Sequence, residues 1–191
     1  MKKSKYLGTR EIAITAVLLA ICIISQIFKN LSIFITGPII NACLVIAVLA
    51  VNLPCGIILS IITPITAYFI AASPVMMMVP AIIIFIMCGN MVLVVSTQFL
   101  LKKELLKAEG LKNVRNYLLA VVCALLKGLF MGLTISLWLL PTFIPQDSKL
   151  YAKLSVFQTT FSVYQFITAC IGFVYVFIIW AALSRFLRKS E

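Results

Sequence analysis

Long apolar runs alternate with short polar breaks along the whole of this chain. Six runs are long enough to carry an α-helix across a hydrocarbon core about 30 Å thick, which takes about 17–25 residues. They lie at roughly 11–28, 35–51, 53–72, 75–101, 114–140 and 155–184. Asn52-Leu53-Pro54 parts the second from the third, a tight turn with proline placed for a helix start. Ser73-Pro74 divides the third from the fourth. The pattern predicts an all-α membrane protein, a six-transmembrane-helix bundle in which residues 1–191 form a single integral membrane domain. The first run follows Lys2, Lys3 and Lys5 as a signal peptide does. It lacks a small-residue cleavage site and five more spans follow, so it is read as a helix of the bundle.

Composition agrees, since 63% of the residues are hydrophobic against about 45–50% in a soluble domain. A net charge of +11 raises the question of nucleic acid. The positive residues sit at helix ends rather than on a basic face, so no nucleic-acid partner is expected. Their placement is topological. Lys2, Lys3, Lys5 and Arg10 precede span one, Lys102, Lys103, Lys107, Lys112 and Arg115 follow span four, and Arg185, Arg188 and Lys189 follow span six. With six spans all of these fall on one face, against Lys29, Lys149 and Lys153 on the other. Both termini are therefore expected in the cytoplasm. The inner connection 102–113 should continue helically from span four, with Lys103 and Lys107 near Glu104. The outer connection 141–154 opens with Pro141-Thr142-Phe143-Ile144-Pro145. It reads equally as a semi-rigid cover over a pocket mouth and as an ordinary connector.

One lysine is left over by this topology. Lys127 lies inside span five, about 18 Å along a helix from Arg115. That is near the bilayer centre, where a charged side chain costs ~2.5 kcal/mol or more. The five acids, Glu11, Glu104, Glu109, Asp147 and Glu191, all lie at or beyond span ends. The ammonium must therefore face backbone carbonyls, water or an acidic ligand. Other spans carry amides at comparable depth. Asn41 is about 9 Å into span two and Asn90 about 22 Å along span four. Gln158, Gln165 and Thr168 fit one face of span six, at offsets of seven and three. Lys127, Asn41, Asn90, Gln158, Gln165 and Thr168 are thus the candidate substrate-binding residues of a pocket opening outward. The competing explanation is interhelical hydrogen bonding, at about 0.6 kcal/mol each.

Other chemistry finds little support. Cys22, Cys43, Cys55, Cys88, Cys123 and Cys170 are scattered singly and histidine is absent, so neither a metal site nor a cofactor is expected. An intramembrane enzyme would need acids, histidines or a based nucleophile within the spans. A solitary transporter or channel, or a purely structural membrane protein, remains an alternative. Ala13, Ala16 and Ala20 form a small-residue stripe in span one, which either admits another helix or packs internally.

In order, Ala16-x-x-x-Ala20, Ile35-Thr36-Gly37-Pro38-Ile39-Ile40-Asn41-Ala42, Ile62-Thr63-Pro64-Ile65, Met87-Cys88-Gly89-Asn90, Leu125-Leu126-Lys127-Gly128 and Gln165-Phe166-Ile167-Thr168-Ala169-Cys170-Ile171-Gly172 run across the six spans. Together they resemble the substrate-binding S component of energy-coupling factor (ECF) transporters, the vitamin-uptake relatives of ABC transporters. The resemblance implies a multi-pass protein of a bacterial plasma membrane that captures a vitamin or related micronutrient on its outer side. It implies a T component and two ATPase subunits as partners, with ATP hydrolysis confined to the latter. Ala16 and Ala20 would contact the T component, and residues 29–36 and 141–154 would gate the ligand. The bundle would tip over in the membrane to release its cargo inward. Lys127 favours a ligand with a carboxylate or phosphate.

Overall fold

A computed structural model describes residues 8–28, 32–107 and 110–189. Lys2, Lys3, Lys5, Lys29, Glu109 and Glu191, and the first three residues of segment 29–36, lie outside the described residues, as do the side chains of Arg185, Arg188 and Lys189.

Among the described residues six helical passes are long and apolar enough to cross a membrane: Thr9–Ile27, Ile33–Val51, Leu53–Ala71, Ile82–Leu105, Val114–Phe143 and Tyr151–Ala182. The first three are α1, α2 and α3. A short helix α4 (Pro74–Met78) precedes α5 (Ile82–Leu105), and α6 is Val114–Phe143. The last pass consists of α7 (Leu154–Phe161) and α8 (Val163–Lys189). The predicted count holds, while two passes are interrupted where a single helix was expected. Pro80, which has no N–H to give, sits in the break between α4 and α5, so span four begins at Ile82 rather than at 75. Ser162, at φ −118° and ψ −82°, breaks the sixth span between α7 and α8.

The starts of several passes are fixed by their own side chains. The Ser32 hydroxyl accepts from Phe34 N at 3.1 Å, and Asn52 Oδ1 from Cys55 N at 3.0 Å. Asn113 Oδ1 accepts from Arg115 N at 3.0 Å. Such groups satisfy the N–H donors that a helix start leaves over. The α2–α3 turn is one extended residue, Asn52, and α2 widens before it, so that Asn52 N donates to Ala47 O five residues back. The freed end of α2 is met from α5, where Lys102 Nζ donates to Val48 O at 2.6 Å.

The outside of the bundle is apolar. Phe69, Phe99 and Leu137 are each two-thirds or more exposed, and the polar side chains are gathered inside. Lipid accepts such a surface where water would not. The passes alternate in direction, and the Tyr117 ring on the first turn of α6 stacks 4.5 Å from Phe177, near the end of the sixth pass. The N-terminal end of α1 and the C-terminal end of α8 thus lie at the end of the bundle that carries the α5–α6 connection. On that connection Lys107 Nζ bonds both Glu104 carboxylate oxygens at 2.8 Å.

Two glycines set how closely the central helices meet. A Cβ on Gly172 of α8 would stand 2.8 Å from Asn41 Cβ and 3.0 Å from Pro38 O on α2. One on Gly128 of α6 would stand 2.8 Å from Phe166 Cβ and 3.4 Å from Phe166 N on α8. The absence of a side chain at both positions lets α2, α6 and α8 approach at backbone distance.

Candidate functional site

The closeness of α2, α5, α6 and α8 brings three polar side chains together in an apolar interior. Lys127 Nζ donates to Asn41 Oδ1 at 2.6 Å and to Asn90 Oδ1 at 2.8 Å. The three residues are 2%, 2% and 3% exposed. Lys127 is 13 residues into α6 and 16 from its end, about 20 Å and 24 Å by helical rise, so the cluster is near mid-membrane. Sequence reasoning offered the ammonium carbonyls, water or a ligand; its protein partners are two side-chain amides from other helices. Short charge-assisted bonds of this kind offset part of the desolvation of the cation. Neither amide carries a charge, so nothing among these three side chains neutralises a protonated Lys127. An ammonium has three N–H donors, and these two bonds use two of them.

Beside the cluster is a cavity of about 270 Å³, near the small end of ligand pockets. Lys127, Asn41 and Asn90 form one part of its wall, and Gln165 at the start of α8 another. Among the described residues Lys127 is the one charged residue lining it. Most of the remainder is apolar, including Ile33, Ile40, Val75, Met76, Ile86 and Phe157. The wall draws on residues late in α1 and α3, such as Gln26 and Ala67, and early in α2 and α5, such as Ile33 and Ile86. The cavity therefore occupies the half of the bundle away from the termini.

Two candidates fall elsewhere. Gln158 is not on the cavity wall. Its Nε2 donates to Ser136 O at 2.9 Å while Ser136 Oγ donates to Gln158 O at 2.8 Å, a reciprocal pair tying α7 to α6. The break at Ser162 undoes the shared face expected of Gln158, Gln165 and Thr168, because helical offsets count only along an unbroken helix. Thr168 stands behind the cavity, with its Oγ1 3.5 Å from Asn41 Nδ2, and so backs the asparagine instead of lining the space.

The connection 141–154 contributes no wall residue either. Its first residues finish α6, and Ile144 is buried in a cluster with Val75, Val79 and Phe161. The cavity is covered instead by Val156, Phe157, Thr160 and Phe161 of α7, and by Ser73, Val75 and Met76 around the start of α4. Of segment 29–36, Ile33 and Thr36 reach the wall.

Sequence reasoning missed Gln26, Thr36, Thr63, Ser73 and Thr160 on the wall. The threonines gave little signal, because in apolar helices such hydroxyls usually bond their own backbone. Thr63 does so to Leu59 O and Thr160 to Val156 O. Gln26 was visible as an amide one turn inside the end of span one, a position equally suited to an interfacial side chain. Ala13, Ala16 and Ala20 are exposed on the outer side of α1, so the stripe does not serve packing within the bundle.

Fold and site define a six-span helical membrane protein with a singly charged, largely apolar internal cavity. Comparison with protein families, with characterised proteins and with solved structures finds no match.

Proposed function

We propose that this chain is the substrate-binding membrane subunit of an ECF-type importer in a bacterial plasma membrane. It captures a vitamin-like micronutrient from outside and delivers it inward together with a T component and an ATPase pair. One observation carries the reading: a buried ammonium, bonded to two neutral amides and to no carboxylate among the described residues, lines a cavity large enough for a small molecule. A lysine needed only for packing would gain more from an acidic partner or from replacement by an apolar residue. The position of the cavity in the half away from the termini agrees with outside capture if the termini are cytoplasmic. The exposed alanine face of α1 is available to a partner helix.

The test is native mass spectrometry of the protein purified from its own cells. A small anionic molecule is expected on the wild type and absent from Lys127→Met, which should still insert and still co-purify with its partners. Equal occupancy in the variant, or an empty wild type, removes the support. Uptake by the purified chain alone in liposomes, without ATPases, would identify a solitary carrier instead.

A further inference from the structure

Gln26 is 0% exposed and lines the cavity, yet the mechanism sketched above leaves it unused. Its Nε2 donates to Thr63 O at 3.0 Å, which fixes the amide plane. Its Oε1 has no hydrogen-bond partner among the described residues. Other buried polar atoms in the same condition, on Thr97, Gln98 and Asn116, are not on the cavity wall. A buried acceptor left unpaired is costly, so natural interiors rarely keep one without a further occupant. The neighbouring hydroxyls do not serve it. Thr36 Oγ1 donates to Ser25 O, and Thr63 and Thr160 donate within their own helices.

The wall therefore has two polar poles. At one, Lys127 offers a donor and a positive charge. At the other, Gln26 offers an acceptor. The bond from Thr36 to Ser25 O puts Gln26 level with Thr36 on α2, and the lysine is bonded to Asn41, five residues further along α2. The poles are thus about 8 Å apart along the helix axis. Among the described residues the wall has a single cation and no arginine, which matches a monoanion better than a phosphate dianion.

On the proposed role as a micronutrient receptor, we infer that Gln26 is a second binding residue. The substrate class is then a small monocarboxylic acid with an apolar body and an O–H or N–H donor at its far end, able to span poles about 8 Å apart along the helix axis. The carboxylate meets Lys127 and the donor meets Gln26 Oε1.

Thermal unfolding of the full-length detergent-purified protein tests this. A thiol-reactive dye reads the exposure of the buried cysteines Cys22, Cys43, Cys55 and Cys123. The probes are 6-hydroxyhexanoate, hexanoate and methyl 6-hydroxyhexanoate, and the concentration dependence of the midpoint gives apparent affinities. The hydroxy acid should bind roughly fivefold or more tightly than hexanoate, as one hydrogen bond to a buried acceptor implies. That advantage should vanish in Gln26→Met with hexanoate unaffected, and the advantage over the ester should vanish in Lys127→Met. Equal affinity of the two acids for the wild type, or an advantage that survives Gln26→Met, overturns the role of Gln26. If Gln26→Met does not fold, the wild-type comparison decides alone. Protection by both acids equally defeats this inference but leaves the receptor reading standing. So does protection by neither when the purified protein still carries a small molecule. An empty protein that no probe stabilises defeats both.

Discussion

The Lys127–Asn41–Asn90 cluster should behave as a unit, because its members share one desolvated charge. An ordinary interhelical hydrogen bond in a membrane contributes about 0.6 kcal/mol, so removing either asparagine alone should cost little while the other oxygen still holds the ammonium. Removing both leaves a buried cation with no partner, which costs ~3–5 kcal/mol. We therefore expect Asn41→Ala with Asn90→Ala to be far less stable than the sum of the singles. Adding Lys127→Met should recover most of the loss, as measured by thermal or detergent denaturation. If the triple variant is no more stable than the double, the lysine does not carry an uncompensated charge at this depth. The cluster residues themselves were legible in the sequence. Lysine and asparagine inside apolar runs are costly wherever they end up, and cost is a property of the residue and its depth. Gln26 was not singled out, since its depth near the end of α1 is inexpensive; its significance comes from being shut in by Thr63 on α3.

Among the elements, α1 contrasts with the others. Its inner face buries Leu18, Cys22, Ser25 and Gln26, while Ala13, Ala16 and Ala20 look outward with Ile12, Val17 and Ile24. Small residues four apart on a lipid-facing surface let a second helix come to backbone distance. Replacing Ala16 and Ala20 together by leucine should leave the protein inserted and ligand occupancy unchanged, while co-purification with a T component is lost. Retained assembly would mean that this face is only lipid-exposed. The sequence identified the stripe but could not say which way it faced, because lipid and a packed apolar interior look alike to hydropathy. The sixth span shows a different limit. Nothing in Phe161-Ser162-Val163 announces a helix break, yet the backbone turns at Ser162 and sends Gln158 to Ser136 and Gln165 to the cavity.

For the whole molecule, orientation decides the proposed role, since capture from outside requires the cavity half to face out. From the positive-inside balance the α5–α6 connection is expected in the cytoplasm and the α6–α7 connection outside. Lys112 and Asp147 are exposed on these two connections. A cysteine at Asp147 should react with an impermeant thiol reagent in intact cells, and one at Lys112 only after permeabilisation. The reverse pattern would turn the cavity to the cytoplasm and exclude import by capture.

By itself the sequence determined the number of passes and most of their ends, and it placed Lys127, Asn41 and Asn90 within apolar runs, because hydrophobic run length and helical rise are local quantities. Only the tertiary structure decided which polar groups meet. That choice depends on how each helix is rotated and how near its neighbours come, here at Gly172 against α2 and Gly128 against α8. Those rotations arise from packing between residues far apart in the chain, where van der Waals fit and not hydrophobicity is the driving term. Hence Lys127 could be recognised as a buried charge from its position alone, whereas its two asparagines, its cavity and the unpaired oxygen of Gln26 emerge only once the helices are assembled.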